Sequence, residues 1–201
     1  MNETLMFDFS NFYDRVAKEL PNDCKVAEIG IADGISALYL AEKLNGLGKK
    51  FTLYMIDNMD YGGYIQLCTI YENIIKSGLG GSIKVVPKDS IEASKDFNEG
   101  ELNFIFLDSS HEYIETRESI KAWYPKLKDG SILSGHDYYL YEGVKKAVDE
   151  LIPETFQRET IDTEEQFQEF EPEQFKHIQQ TNNGYGLWYC IKDFYKTLNN
   201  I

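Results

Sequence analysis

The sequence predicts an α/β fold in which a doubly wound, mostly parallel sheet carries helices on both faces. Short apolar runs alternate with amphipathic stretches along most of the 201 residues, and this alternation is typical of strand–helix–strand units. Near the start, an apolar run ends in Glu28 and is followed by Gly30 and Gly34 ahead of a helical pattern. A strand, a glycine turn and a helix in this order let a ligand approach free backbone N–H groups.

Five short apolar runs have the length and the β-branched or aromatic content of buried strands. They cover residues 25–29, 51–56, 83–86, 102–107 and 131–133. Two later segments, 155–161 and 186–191, are predicted to pair as an antiparallel hairpin at the edge of the sheet. Asn183-Gly184 supports this pairing because Asn-Gly is a strong signal for a tight turn.

Six stretches have the spacing of amphipathic helices and alternate with these strands. They cover residues 8–20, 35–44, 63–76, 91–97, 113–127 and 143–151. We expect a single domain over residues 1–201, because this length fits one hydrophobic core. Within it, residues 1–22 hold a leading helix and residues 153–183 an acidic insertion near the C-terminal hairpin.

Composition narrows the class of protein further. The 34 acidic and 20 basic residues give a net charge of −14, which would repel a polyanion, so no nucleic-acid partner is expected. No apolar stretch approaches the ~20 residues of a membrane span, and the N-terminus lacks a secretion signal. Cys24, Cys68 and Cys190 are too scattered for a disulfide or zinc framework. We therefore expect a cytoplasmic protein that binds no membrane; the sequence does not define its oligomeric state.

Polar residues follow the predicted strands at the edge where an open parallel sheet binds its ligand. Asp57, after the second strand, stands where an acid can bind the two hydroxyls of a ribose, or cap the next helix. Asp108 and His111 follow the fourth strand, and His136 and Asp137 follow the fifth. Converging carboxylates favour a hard divalent cation, and imidazole can join them. These strand ends are therefore the predicted site, although a histidine in a loop can also be merely solvated.

The glycine spacing after an acid resembles motif I of the class I S-adenosylmethionine-dependent methyltransferases. Leu107-Asp108-x-x-His111-x-Tyr113 and Gly135-His136-Asp137-Tyr138 resemble a small family related to macrolide sugar (macrocin and mycinamicin) O-methyltransferases and akin to catechol O-methyltransferase. The resemblance covers roughly residues 24–152. It implies a Rossmann-like, doubly wound, seven-stranded sheet, mostly parallel with an antiparallel C-terminal edge hairpin.

The resemblance also implies S-adenosylmethionine as cofactor and assigns residues to it. The implied cofactor contacts are Glu28, Gly30, Ile31, Gly34, Ser36, Asp57, Asp89, Ser90 and Asp108. Ser36 and the turn backbone would hold the methionine carboxylate, Asp57 the ribose, and the Asp89–Ser90 pair the adenine; either of that pair could instead cap a helix. Asp108, His136 and Asp137 would hold Mg²⁺ or Mn²⁺, and His111 would be the general base, with Asp108 beside it in the catalytic set.

The expected reaction is O-methylation of a hydroxyl on a sugar or another small or glycosylated molecule. A divalent cation lowers the pKa of such a hydroxyl, and histidine, with an ordinary pKa of about 6.5, can take its proton near neutrality. Several tyrosines near the site could stack on a flat acceptor or could simply pack in the core. They are Tyr61, Tyr64, Tyr138, Tyr139 and Tyr141.

Two other classes of protein fit part of the pattern. An NAD-linked oxidoreductase would share the strand–turn–helix, but the middle glycine of Gly-x-Gly-x-x-Gly is missing and no Ser/Tyr–Lys dyad lies in register. A non-catalytic cofactor-binding module needs none of Asp108, His111 and Asp137, so their presence favours an enzyme. The Asn/Asp-Pro-Pro-Tyr/Phe element of amino-methylating DNA enzymes does not occur.

Overall fold

A computed structural model of the chain describes residues 7, 9–152, 159–161 and 186–192. The strands are β1 (Cys24–Ile29), β2 (Phe51–Asp57), β3 (Ile83–Pro87), β4 (Leu102–Leu107), β5 (Leu127–Gly135), β6 (Glu159–Ile161) and β7 (Leu187–Ile191). The helices are α1 (Ser10–Glu19), α2 (Ile35–Gly46), α3 (Gly63–Ser77), α4 (Ser90–Ser94), α5 (Tyr113–Trp123) and α6 (Glu142–Leu151).

These strands form one sheet with the order β3-β2-β1-β4-β5-β7-β6. The strands from β3 to β5 in this order pair in parallel, and β7 runs antiparallel to both β5 and β6. Because β1 lies between β2 and β4, the winding direction reverses beside it, and a crevice opens beyond the ends of β1 and β4. The predicted α/β class, the mostly parallel sheet and the antiparallel C-terminal strands are confirmed.

Hydrophobic clusters cover both faces of the sheet, which explains why its strands read as continuous apolar runs. On β4, Phe104 and Phe106 belong to the cluster that contains α1 and α2, whereas Ile105 and Leu107 belong to the cluster beneath α5 and α6. Successive residues of a strand point to opposite faces, so β4 contributes to both cores. Because both faces of the sheet are buried, polar side chains that bind a ligand are expected at the ends of the strands.

Three predicted boundaries were wrong for local reasons. The helix predicted over residues 113–127 ends at Trp123, because Pro125 lies in a short 3₁₀ turn, Tyr124–Lys126, that leads into β5. The helix predicted over residues 91–97 is the shorter α4. Strand β5 begins before residue 131, and its early residues 128–130 are exposed and polar, which concealed the strand pattern. The 183–184 turn and most of the 153–183 insertion lie outside the described residues.

A glycine at the end of β5 gives a test of this packing. A Cβ on Gly135 would lie 2.6 Å from the indole ring of Trp188 on β7, so we expect Gly135→Ala to destabilise the fold by about 1–3 kcal/mol through overpacking. Gly46→Ala is the matched control, since a Cβ there meets no atom within 4 Å and alanine favours the helix by up to ~1 kcal/mol. Urea unfolding measures both; equal stabilities of the two variants would contradict the packing.

Candidate active site

A cavity of about 920 Å³ opens at the carboxyl ends of the parallel strands, and its size is that of a site for a small molecule. The predicted site residues that line it are Gly30, Ile31, Ser36, Asp57, Asp89, Ser90, Asp108, His111 and His136. Glu28, Gly34 and Asp137 lie behind this wall and are not among its lining residues. The structure therefore brings most of the predicted residues to one cavity.

The turn after β1 depends on two glycines. Gly30 has a φ of +83°, and a Cβ there would lie 2.0 Å from the carbonyl oxygen of Asp108. Gly34 has a φ of +78° at the start of α2, where a Cβ would meet the Met55 side chain at 2.3 Å. Both conformations favour glycine. The turn can approach the end of β4 this closely only because Gly30 has no side chain.

Glu28 is a buried acid at the end of β1, 1 % exposed. Its carboxylate accepts hydrogen bonds from the hydroxyls of Tyr13, at 2.7 Å, and Ser36. Burial is the main reason that the pKa of Glu28 rises to about 7, and these two hydrogen bonds oppose the rise. Sequence reasoning missed Tyr13; the available signal was a hydroxyl-bearing ring on the apolar face of the leading helix.

This pKa makes stability depend on pH. The carboxyl of Glu28 is neutral in the folded state up to about pH 7 but ionises near its ordinary pKa, about 4.3, in the unfolded chain. The folded state therefore binds the extra proton between these values, and stability falls as pH rises through them. We expect wild type to lose on the order of 3 kcal/mol relative to Glu28→Gln between pH 4 and pH 8. Unfolding of both proteins across this range measures the difference, and parallel pH curves would contradict it.

Asp57, Asp89 and Ser90 lie in the cavity wall while they also support the local backbone. Asp57 accepts hydrogen bonds from the amides of Ile31 (3.0 Å) and Met59 (2.8 Å), so it fixes the turn after β1 against the end of β2. Asp89 caps α4 by accepting from two amides of its first turn. The Ser90 hydroxyl is 2.9 Å from that of Ser119 and accepts from the Trp123 indole. Asp89 therefore caps a helix and lines the cavity at the same time, so the two predicted roles are compatible.

His111 and Asp137 form a direct pair beside the cavity. His111 Nε2 donates to Asp137 Oδ2 at 2.8 Å, and the carboxylate is 6 % exposed. The hydrogen bond to Asp137 raises the pKa of His111 above its ordinary 6.5, although burial opposes the rise. The imidazole also stacks on Tyr141, with ring centroids 4.0 Å apart and planes 6° apart. Both contacts fix the ring orientation.

His136 lies deeper, beneath the two aspartates. Its Nδ1 is 3.4 Å from Asp137 Oδ1 and 3.7 Å from Asp108 Oδ1, and its ring packs against Phe9. Desolvation raises the pKa of Asp137, and the charge of Asp108 adds to the rise. Within the described part of the chain, the ligand atoms that cluster within 4.8 Å belong to Asp108, Asp137 and His111. His136, predicted as a ligand, is not in that group.

The tyrosines of the neighbouring loops divide between the cavity and the core. Tyr61 lines the cavity and is 95 % exposed. Tyr138 is buried and donates to Asp149, and Tyr139 bonds to Thr160. Packing therefore accounts for Tyr138 and Tyr139, whereas Tyr61 and Tyr141 stand beside the site.

The sheet order, the glycine turn and the acids at the strand ends define the architecture of a class I methyltransferase. A family model described as a methyltransferase domain matches residues 27–138, which is more than half of the chain. The chain belongs to this methyltransferase family, and its cofactor is accordingly S-adenosylmethionine rather than NAD. Comparison with curated proteins found no match.

Solved structures share the fold at low sequence identity. A candidate rRNA methylase from Clostridium thermocellum is 14 % identical, with a TM-score of 0.68 over 97 % of this chain and 100 % of that chain. A candidate caffeoyl-CoA O-methyltransferase from Staphylococcus aureus is 13 % identical (TM-score 0.66, 91 % and 82 % covered). A candidate O-methyltransferase from Klebsiella pneumoniae is 12 % identical (TM-score 0.66, 92 % and 79 % covered). In the described residues, no helix combines the length and the apolar character of a membrane span.

Proposed function

We propose that this methyltransferase acts on a hydroxyl of a sugar or another small or glycosylated molecule, with His111 as general base. The observation that carries the proposal is the His111–Asp137 pair, because its imidazole lines the cavity while its carboxylate lies behind the wall. A hydroxyl must lose its proton during methyl transfer, and a fixed imidazole near neutral pKa is suited to accept it.

The cavity residues fit the cofactor. Asp57 stands at the end of β2, where an acid can bind the ribose hydroxyls of the cofactor. Ile31, Ile91 and Ser90 supply a wall for its adenine that is apolar apart from the Ser90 hydroxyl. Ser36 faces the same cavity from the first turn of α2, near amide groups that suit a carboxylate. When bound, S-adenosylmethionine supplies an electrophilic methyl group.

The chain's own residues then orient and deprotonate the acceptor. Asp137 holds Nε2 of His111, which leaves Nδ1 to accept the hydroxyl proton, and the same carboxylate stabilises the imidazolium that forms. Tyr141 restricts the ring from its face. Because His111 is held on two sides, little reorientation is needed when the proton moves.

A divalent cation is a further part of the proposal, held by Asp108 and Asp137 with the imidazole of His136, so that Nδ1 of His111 stays free to act as the base. Two close acids, one of them buried, concentrate negative charge that a cation would neutralise. The cation would act as a Lewis acid on the acceptor hydroxyl. We expect EDTA to lower kcat and Mg²⁺ or Mn²⁺ to restore it. Full turnover in excess EDTA would leave the His111–Asp137 pair as the activating group and remove the cation from the proposal.

The reaction is tested with methyl-labelled S-adenosylmethionine and a panel of acceptors. Free and glycosidic sugars, catechols and a caffeoyl thioester represent hydroxyl acceptors, and ribosomal RNA and DNA serve as controls. We expect label on a small hydroxyl compound and none on nucleic acid, which a net charge of −14 repels. Methylation of RNA, or cofactor binding without turnover on any acceptor, would contradict the proposal; the latter is the behaviour of a binding module.

A further inference from the structure

Ser36 connects the cavity to a buried acid. Its side chain lines the cavity from the first turn of α2, and its hydroxyl donates its one hydrogen to Oε1 of Glu28. The other oxygen of that carboxylate, Oε2, accepts from the hydroxyl of Tyr13 at 2.7 Å. Glu28 and Tyr13 are 1 % and 0 % exposed, so bulk water does not reach this carboxylate. The proposed reaction uses neither Glu28 nor Tyr13.

The carboxylate of the cofactor competes for the same hydrogen. Within the described residues, no side chain caps the first amides of α2, and a helix start with free amides suits a carboxylate. A carboxylate only accepts hydrogen bonds, so a contact with Ser36 requires the hydroxyl to donate to it. Because a hydroxyl has one hydrogen, Ser36 must then release Glu28. Oε1 of Glu28 would be left facing an oxygen with no hydrogen between them, which is unfavourable for a buried acid.

A proton on Glu28 removes this conflict. An O–H bond formed at Oε1 donates to the Ser36 oxygen and leaves the Ser36 hydrogen for the cofactor, so the hydrogen bonds run in one direction from Glu28 to the ligand. Tyr13 selects the oxygen that takes the proton. The pKa of Tyr13 is raised well above its ordinary value, chiefly by burial and then by the charge of Glu28. Tyr13 therefore stays a donor to Oε2, and the added proton goes to Oε1.

We propose that cofactor binding takes up a proton from solvent onto Glu28, and that Glu28 and Tyr13 are positioning residues that orient the Ser36 hydroxyl toward the methionine carboxylate. The inference rests on the part of the proposed function that places this carboxylate next to Ser36, but not on the acceptor or on His111. In the free protein, burial already raises the pKa of Glu28 to about 7, and the charge of Asp108, at the end of β4, acts in the same direction. A second carboxylate bound beyond Ser36 raises it further.

Calorimetry with S-adenosylhomocysteine in buffers of different ionisation enthalpy counts the protons taken up. At about pH 8, wild type should take up at least roughly half a proton more than Glu28→Gln, and at about pH 5, where Glu28 is already neutral, no more. The ratio of the wild-type Kd to the variant Kd should grow about tenfold from about pH 7 to about pH 8.5. Glutamine has the shape of the neutral acid and can donate to Ser36. The amino group of the ligand titrates with both proteins, so its contribution cancels in the comparison.

Two further variants and a second ligand test the pathway of the proton. Tyr13→Phe removes a hydrogen bond that lowers the pKa of Glu28, so proton uptake should move to higher pH. Tyr39→Phe is the matched control, because Tyr39 donates its hydroxyl to Asp14 instead, and it should leave the uptake unchanged. Methylthioadenosine, which lacks the amino acid of the cofactor, should bind without uptake that depends on Glu28.

The sign of the proton count decides the inference. Equal counts for wild type and Glu28→Gln at about pH 8 would overturn it. Release of a proton would also overturn it, because an ammonium group next to Ser36 would keep the hydroxyl donating to an ionised Glu28. Failure to bind S-adenosylhomocysteine at all would overturn the cofactor assignment and this inference with it.

Discussion

His111→Ala is expected to lower kcat by about 10²–10⁴-fold while S-adenosylmethionine binding is retained. The loss follows from removing the imidazole that faces the cavity, whereas the turn after β1 that supports the cofactor pocket is held by Asp57. In wild type, the rate should rise with pH as the imidazolium loses its proton. That limb should lie above pH 6.5 because Asp137 raises the pKa of His111. The His111→Ala variant should lack this rise of the rate with pH.

Two controls separate a base from a structural histidine. Asp137→Asn keeps a polar group of the same shape next to Nε2 but removes the charge, so the limb should move to lower pH and kcat should fall. Added imidazole should partly rescue His111→Ala, because the deleted ring leaves space beside Tyr141. If kcat and the pH profile of His111→Ala match wild type, His111 is a solvated loop residue and another group accepts the proton.

Gly30→Ala is expected to abolish measurable cofactor binding, a loss of at least ~100-fold in affinity. The left-handed conformation of Gly30 alone costs an alanine about 1–2 kcal/mol. In addition, the new Cβ would lie 2.0 Å from the carbonyl oxygen of Asp108, so the turn and the end of β4 must move apart. Calorimetry with S-adenosylhomocysteine measures the affinity.

Gly48→Ala separates these two effects. Gly48 has a φ of +68°, but a Cβ at this position would meet no atom within 4 Å, so alanine suffers the backbone strain without the collision. It should lose stability by about 1–2 kcal/mol and bind cofactor normally. Equal affinities of the Gly30 and Gly48 variants would show that the close approach of Gly30 to Asp108 is unimportant for the pocket.

Much of the fold could be predicted because its signals are local. The run that ends in Glu28 and the run from Leu102 to Leu107 are apolar on both faces, and each is bounded by polar residues. The site could be predicted because parallel strands end at one edge of the sheet, so Asp57, Asp108 and Asp137 lie at the same edge and the last two come close together.

What the sequence did not predict depends on contacts between distant elements. Tyr13 donates to Glu28 across 15 positions, and no local pattern marks that partnership. Likewise, that His111 lies closer than His136 to the Asp137 carboxylate depends on loop conformation, including the left-handed φ of +65° at Asp137. Residue spacing predicted that both histidines lie at the site, but it could not predict which of them pairs directly with Asp137.

The lining of the cavity has two parts: a wall whose position is fixed by the backbone, and a rim made of exposed side chains. Ile35, Tyr61 and Ile91 line it while remaining 36 %, 95 % and 39 % exposed. Substitutions at such exposed positions usually alter folding free energy by no more than about 0.5 kcal/mol. Because Ile91 belongs to the proposed adenine wall, the acceptor range can diverge at Ile35 and Tyr61 without loss of the scaffold. These two positions are therefore the natural targets for directed evolution toward new acceptors.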